Sequence, residues 1–298
     1  MKNIINYYYG FNVLNVYILD NNYYFTIDGN NYFFIKYNRS NTEINPIYNI
    51  YLELVSRNIM TNDIILNRFN QIVTPINNNI YILIRERSNG NININDILYI
   101  QNNTFNISKD KYLLRIDWVK LWSLKIDYYE EQTKHISKDF TLLNDSIDYY
   151  IGLGENAISY FVFNNIKIDN YVLAHRRINL KSSNFYNPIN YIIDSRVRDF
   201  SEYIKFLFFE DKMNIDILKC YLDYINFTKS EYILFISRLL FPTYYFDMFD
   251  EIISNNINED AIKKVLNKSN DYITFIKSTM YYIIYNKKIN IPYIDWIN

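Results

Sequence analysis

The sequence predicts an α+β fold in two parts, a small antiparallel β-sheet with one helix followed by a larger, mainly α-helical region. In the first part, short apolar runs alternate with turn residues, and Asp28-Gly29-Asn30 between two runs is typical of a β-hairpin. In the second part, apolar residues recur at helical spacing. The turn residues Asn89-Gly90-Asn91 separate the two patterns, so we predict a β-rich lobe at 1–88 and a helical lobe at 89–298.

The first lobe is predicted to contain three strands, one helix and two further strands, in that order. The strands cover 13–19, 23–27, 32–37, 72–74 and 80–85. Asp20-Asn21-Asn22 is predicted to form the turn between the first two strands. The helix covers 43–58, because apolar residues recur on one side and Pro46 suits a first helical turn.

The second lobe is predicted to be mainly helical, with one extended region. Helical spacing indicates helices at 111–134, 145–163, 201–209, 215–226, 229–240, 257–266 and 271–286. A strand at 171–179 enters a loop, and 187–193 is extended around Pro188. Gly152 and Gly154 lie within the second helix, and we expect them to permit close packing rather than to bind phosphate.

Composition argues against several classes of partner. The formal net charge of -1 gives no electrostatic basis for binding nucleic acid or an anionic membrane. A single cysteine allows no intrachain disulfide, and no apolar run reaches the roughly 18 residues of a membrane span. The first residues lack the pattern of a signal peptide. The 32 Tyr and 20 Phe accompany many Asn, Ile and Lys residues, so AT-rich codons account for the aromatic content better than ligand stacking does.

A β-rich lobe in this order, followed by a helical lobe, is the layout of protein kinases and aminoglycoside phosphotransferases. Four segments of the second half resemble the YutH branch of the CotS-type spore coat proteins. In chain order they are 148–160 (DYYIGLGENAISY), 174–178 (AHRRI), 188–204 (PINYIIDSRVRDFSEYI) and 237–247 (SRLLFPTYYFD). The first lobe resembles these proteins only in the order of its strands and its helix. The resemblance implies a two-lobed, protein kinase-like fold related to aminoglycoside phosphotransferases and choline kinases.

The same resemblance implies where active-site residues lie, and it shows substitutions at two of them. His175 matches the His that opens the phosphotransferase catalytic loop, which needs an Asp two positions later as base. This chain has Arg177 there, and an arginine stays protonated at any working pH. The family's magnesium-binding Asp aligns with Asn190, whose neutral amide is a poor ligand for that ion. We therefore predict a degenerate catalytic site without a confident metal ligand.

The first lobe shows similar changes, with one feature that favours nucleotide binding. The turn at Asp20-Asn21-Asn22 is acidic and lacks glycine, so it would repel phosphates rather than approach them. Lys36 on the third strand and Glu53 on the following helix occur at kinase-like intervals, and we predict that their side chains approach each other, as the nucleotide-binding pair of kinases does. The alternative is that Lys36 is a solvated strand end and Glu53 a surface carboxylate.

Three functions compete. The first is a catalytically degenerate structural or interaction module, with other proteins as partners and no cofactor, in the cytoplasm or, if the host makes spores, in the spore coat. The second is an active ATP-dependent small-molecule phosphotransferase that uses Asp194, Asp199 or Asp169 as surrogate acids. The third is a regulatory pseudokinase that binds nucleotide through Lys36 and Glu53. ATP and magnesium are the cofactors of the last two, and we favour the first.

Overall fold

The computed structural model describes residues 1–19, 22–178, 180–254 and 256–296. The chain forms two compact units, each made of two segments. The first unit is Met1–Arg115 with Asn170–Arg196, and the second is Ile116–Asp169 with Val197–Asn298. The chain passes from one unit to the other after Arg115, Asp169 and Arg196 rather than near residue 88. The lobe boundary near residue 88 therefore stays a prediction.

The elements follow the predicted α+β pattern. The strands are β1 (Tyr17–Leu19), β2 (Asn22–Ile27), β3 (Asn30–Lys36), β4 (Asp63–Ile65), β5 (Thr74–Ile76), β6 (Asn79–Arg85), β7 (Tyr171–His175) and β8 (Tyr191–Ser195). The α-helices are α1 (Lys2–Tyr9), α2 (Ile44–Ser56), α3 (Ile94–Asn103), α4 (Trp118–Thr133), α5 (Thr141–Phe163), α6 (Ser182–Phe185), α7 (Val197–Phe209), α8 (Ile215–Tyr224), α9 (Lys229–Leu240), α10 (Thr243–Ile253), α11 (Lys263–Leu266) and α12 (Ser269–Tyr281). Short 3-10 turns cover Asn41–Glu43, Pro188–Asn190 and Glu259–Ile262, and a π-helical turn, Tyr282–Asn286, follows α12.

The first unit contains the predicted antiparallel sheet. Its strand order is β1-β2-β3-β6-β4, and β5 pairs with β6. The hairpin between β2 and β3 is confirmed: Ile27 pairs with Asn30, and Asp28 (φ 48°) and Gly29 (φ 74°) both adopt the left-handed backbone of a tight turn. The predicted turn between the first two strands falls on residues 20 and 21, which lie outside the described residues, while Asn22 already belongs to β2.

One face of this sheet carries a group of buried apolar side chains, which we call the sheet cluster. Its members are Ile5, Val13, Phe25, Tyr32, Phe34, Tyr81 and Leu83. Helix α1 supplies Ile5 to it, although the sequence pattern did not predict this helix. The segment is rich in Asn, Ile and Tyr, which favour helices weakly, so packing rather than propensity accounts for α1. The short strand β4 was also missed.

A second, two-stranded sheet completes the first unit and positions the candidate site. Strands β7 and β8 pair antiparallel, with His175 opposite Tyr191. The Leu114 segment adds an isolated parallel bridge to Ile193. Two backbone hydrogen bonds hold this segment beside β8. The Arg115 N–H donates to the Ile193 carbonyl (2.8 Å), and the Ile193 N–H donates to the Leu113 carbonyl (2.9 Å). The extended 187–193 region is therefore a 3-10 turn followed by a strand.

The second unit is helical. Helix α9 begins at a capping box formed by Thr228 and Glu231, and its residues from Glu231 to Leu240 are buried, so it is the central helix of this unit. Helix α5 packs against α4 and α9. The predicted helix at 111–134 begins only at Trp118, where the Asp117 side chain accepts a hydrogen bond from the Lys120 N–H. Helix α10 was not predicted.

The two glycines of α5 differ in their surroundings. A Cβ at Gly154 would lie 2.5 Å from Ile126 Cδ1 on α4, so this glycine permits the close approach that the sequence predicted. A Cβ at Gly152 would meet no atom within 4 Å, so the same prediction is wrong for Gly152. No described helix is long and apolar enough to cross a membrane.

Candidate functional site

The candidate site lies where β7 ends and β8 begins, in the first unit. The Arg176 N–H donates to the Asn190 carbonyl (2.9 Å), just after the last residue of β7. The Asn190 side chain then makes two bonds to the backbone of Arg177. Its Nδ2 donates to the Arg177 carbonyl (2.6 Å), and its Oδ1 accepts from the Arg177 N–H (3.2 Å).

These bonds define what Asn190 does in the structure. An amide can donate and accept at once, whereas an ionised carboxylate can only accept. Asp at this position would therefore lose the bond to the Arg177 carbonyl and would face that oxygen with a negative charge. The side chain at the expected metal-ligand position thus joins the two ends of the loop between β7 and β8.

His175 is buried and packed between aromatic rings. Its ring stacks on Phe185 with centroids 4.2 Å apart and meets the Tyr191 ring edge-on at 5.4 Å. The side chain is part of the core of the first unit, with 1% of its surface exposed. This position supports the interpretation of His175 as a residue that orders the loop.

A group of arginines around Glu43 is the feature that sequence reasoning missed. Arg39 Nε donates to Glu43 Oε2 (2.8 Å), and Arg115 Nη2 donates to Glu43 Oε1 (3.1 Å). Arg39 Nη1 also donates to the carbonyls of Ile189 and Tyr191, each at 2.7 Å. The i,i+4 spacing of Arg39 and Glu43 was visible in the sequence, but nothing there connected Arg115 or the 189–191 turn to them.

The electrostatics of this group follow from burial and from the neighbouring charges. Burial alone would raise the pKa of Glu43, but the hydrogen bonds and charges of Arg39 and Arg115 outweigh it and hold that pKa below its ordinary value. Burial lowers the pKa of Arg176, and the charges of Arg39, Arg115 and Arg177 lower it further, with Glu43 opposing them. Burial raises the pKa of Tyr37 to about 12, although the positive charges of Arg39 and Arg176 act to lower that pKa.

Lys36 and Glu53 do not form the predicted pair. Lys36 lies opposite Tyr81 in the register of β3 and β6, so its side chain leaves the sheet on the face of the sheet cluster. No described residue of α2 belongs to that cluster. Lys36 is exposed and forms no ion pair within the described ranges, whereas Glu53 pairs with Arg57 and accepts from the Ser108 N–H (3.2 Å). Nucleotide binding through Lys36 loses this support and stays a prediction.

The three surrogate acids occupy different settings. Asp194 lies on β8, opposite Val172, and is fully buried, and its Oδ1 accepts from the Ser195 N–H (2.6 Å). Asp199 is buried in the first turn of α7, in the second unit. Asp169 is exposed. Over the residues that the structure describes, no group of three or more His, Cys, Asp or Glu side chains is arranged to hold a metal ion.

Two comparisons of the sequence with known proteins identify the same family. The model of the family described as Spore coat putative kinase YutH matches residues 2–279. The endospore coat-associated protein YutH of Bacillus subtilis (strain 168) is 24% identical to this chain over 207 residues. That match covers 60% of this chain and 61% of the relative, so it spans about three fifths of the relative's length.

Solved structures with a similar fold are phosphotransferases and a kinase. An aminoglycoside phosphotransferase from Alicyclobacillus acidocaldarius has a TM-score of 0.64 at 11% identity, covering 91% of this chain and 92% of its own. Spectinomycin phosphotransferase APH(9)-Ia, in complex with ADP and spectinomycin, has a TM-score of 0.57 at 13% identity, covering 93% and 92%. Amicoumacin kinase hAmiN, in complex with AMP-PNP, Ca²⁺ and Ami, has a TM-score of 0.55 at 14% identity, covering 79% and 81%. At these identities the similarity shows the fold alone, which is protein kinase-like.

Proposed function

This chain belongs to the YutH spore coat family, and we propose that it is a kinase-fold protein that transfers no phosphoryl group and acts as a structural or interaction module. One observation carries the proposal. The Asn190 amide is bonded to both backbone groups of Arg177, and the family resemblance aligns this residue with the metal-binding carboxylate of the related fold.

The chemistry of phosphoryl transfer explains why this arrangement matters. Catalysis depends on positioning and on neutralising the charge that develops on the phosphates, and bound magnesium contributes to that neutralisation. An amide whose donor and acceptor are both engaged with the backbone does not provide a magnesium carboxylate. Arg177 replaces the base, which forfeits a further factor of about 10²–10⁴.

The family name and the relative support a place in the spore coat. The relative from Bacillus subtilis is named as endospore coat-associated, and the matched family is described as a spore coat family. We propose that this chain associates with other coat proteins when its host forms spores. Its partners would then be proteins rather than small-molecule substrates.

ATP turnover by the purified chain tests the catalytic half of the proposal. The wild type, the double variant Arg177→Asp/Asn190→Asp and a matched double variant Arg57→Asp/Asn184→Asp are incubated with ATP-magnesium and a panel of alcohols and aminoglycosides. We expect no turnover by the wild type or the matched variant. Turnover gained in the first double variant would show that the scaffold is competent and that these two residues disable it. Turnover by the wild type would contradict the proposal and favour an active phosphotransferase.

A further inference from the structure

Strand β1 lies at one edge of the antiparallel sheet. Among the described strands it pairs with β2 alone, so its outer edge faces no described strand. The residues just before it also lack backbone partners. The Val13 N–H donates to Asn6 Oδ1 (2.8 Å), but no backbone group of residues 14–16 bonds to a described residue. Residues 14–19 therefore present backbone donors and acceptors along an open edge.

The side chains of this edge are apolar and exposed on both faces of the sheet. Leu14 and Ile18 are 72% and 74% exposed, and Tyr17 and Leu19 are 58% and 48% exposed. Ile18 lies opposite Tyr23, which packs against the sheet cluster. Ile18 is therefore on the face of that cluster, while Tyr17 and Leu19 are on the other face. A contiguous group of exposed apolar side chains marks an interaction surface.

A groove of about 560 Å³ lies beside this edge, between residues 14–18 and the start of α1. Met1, Lys2 and Tyr23 complete its lining. Met1, Val16 and Tyr23 also pack against the sheet cluster, so the groove lies where the core of this sheet meets the edge. It offers room on that face for the apolar side chains of one further strand.

The edge lacks side chains that would prevent two copies of it from pairing. Proteins protect exposed edges with charged side chains, Pro or bulges. Residues 11–19 contain no charged residue, no Pro and no Gly. An antiparallel copy of the same segment would place no like charges opposite each other within these residues, and apolar side chains would meet on both faces. The formal net charge of -1 adds little repulsion between two copies.

We propose that β1 is a self-association surface, at which the β1 strands of two copies pair antiparallel about a two-fold axis and join their sheets. A two-fold axis uses the same surface on both copies and closes the assembly at a dimer. Because the strand is short, we expect a weak, reversible dimer with a dissociation constant of roughly 1–100 µM. The proposal does not depend on phosphoryl transfer or on the partners of this chain in a spore coat.

Sedimentation velocity of the purified full chain over a range of concentrations tests the proposal. We expect a monomer–dimer equilibrium in the wild type. Leu19→Lys should raise the dissociation constant by about tenfold or more, because each copy then brings an ammonium group to the shared edge.

Leu52→Lys is the matched control. It is the same substitution in the same unit, and Leu52 is 45% exposed on α2 against 48% for Leu19. This variant should dimerise like the wild type, and circular dichroism verifies that both variants are folded. A dimer that Leu19→Lys and Leu52→Lys weaken equally, or that folded Leu19→Lys leaves unchanged, would overturn the proposal.

Hydrogen exchange of the wild type locates the contact without any variant. We expect the backbone amides of residues 14–19 to become protected as the protein concentration rises, because strand pairing supplies their missing partners. Dimerisation that leaves the exchange of these amides unchanged would overturn the proposal. A folded wild type that stays monomeric up to about 1 mM would overturn it as well, and would leave this edge to a strand of another protein.

Discussion

At the scale of single residues, Asn190 has a structural role at the position where the family resemblance predicts a metal ligand. Its amide makes two bonds to Arg177, and a carboxylate could keep only the one to the Arg177 N–H. We expect Asn190→Asp and Asn190→Ala each to lower the free energy of unfolding by about 1 kcal/mol, with Asp no better than Ala. Urea denaturation measures both. Asn184→Ala is the control, since its side chain makes no hydrogen bond to any described residue. A more stable Asn190→Asp would contradict this role.

The lowered pKa of Glu43 predicts a pH dependence of stability. Because its pKa in the folded state lies below the ordinary value of 4.5, its ionised form stabilises the fold above that pH. This contribution is lost as the pH falls through the folded-state pKa. We expect Glu43→Gln to lose about 1–2 kcal/mol near neutral pH, and the difference from wild type to shrink below the unfolded pKa. Urea denaturation at a series of pH values measures it, and a difference independent of pH would contradict the assignment.

The sequence could predict some site residues and not others, for physical reasons. His175, Arg177 and Asn190 were named from motif positions and lie close together because β7 pairs with β8, while their catalytic and metal-binding assignments stay predictions. Lys36 was placed on the right strand but the wrong face, since neighbouring strand positions alternate and the interval to α2 does not set the face. Arg39 and Arg115 were missed because their contacts join segments far apart in the chain, and no local pattern records such contacts.

At the scale of elements, a buried lysine joins helices α7, α9 and α10. Lys205 Nζ lies 2.9 Å from Glu202 Oε1 and donates to the Arg238 carbonyl (2.9 Å) and to Thr243 Oγ1 (2.6 Å). Thr243 in turn donates to Glu202 Oε2 (2.8 Å). Burial lowers the pKa of Lys205, and the charge and hydrogen bond of Glu202 oppose that shift within the core of the second unit.

Removing that lysine should be costly, because it leaves Glu202 without its cationic partner. We expect Lys205→Met to lower the free energy of unfolding by about 3–5 kcal/mol. Lys219→Met is the matched control, since Lys219 makes the same i,i+3 pair with Asp216 on an exposed surface and should cost at most about 1 kcal/mol. Chemical denaturation of the three proteins gives the comparison. Equal losses in both variants would show that the buried network is not a major stabilising feature.

The two glycines of α5 give a prediction about packing between helices. We expect Gly152→Ala to raise the free energy of unfolding by about 0.5–1 kcal/mol, because alanine favours the helix and the added methyl group meets nothing. Gly154→Ala should lower it by about 1 kcal/mol, because the new Cβ would displace Ile126. Thermal denaturation measures both. A stabilised Gly154→Ala would show that α4 moves aside freely.

Helices and strands whose apolar residues recur with strong periodicity were predictable from the sequence. Those whose conformation depends on packing against other elements were not. The helix at Lys229–Leu240 was predicted with the observed bounds, since its cap and its apolar spacing agree. Helix α1 and strand β4 are short and carry weak propensity. Their conformation comes from the sheet that they pack against or extend, and a sequence window of their own length contains no record of it.

At the scale of the whole molecule, the chain combines a protein kinase-like fold with membership of a spore coat family. The many tyrosines of the sequence serve this fold in large part as core, since Tyr129, Tyr150, Tyr191, Tyr232, Tyr245 and Tyr272 are among its largest fully buried side chains. The fold class was predictable because element order and family segments agreed. Catalytic competence depends instead on single side chains, so it needs a direct measurement.

Magnesium dependence of ATP binding tests the central claim, that this chain has lost the metal carboxylate of the phosphotransferase site. ATP is titrated into the wild type with magnesium and again with a chelator, and both titrations are repeated on Asp194→Asn, with circular dichroism to verify folding. We predict that magnesium strengthens ATP binding by less than about twofold in either protein, as expected if no carboxylate replaces Asn190 as metal ligand. Strengthening by about tenfold or more in the wild type that disappears in folded Asp194→Asn would contradict the account and identify Asp194 as the magnesium ligand of a working kinase.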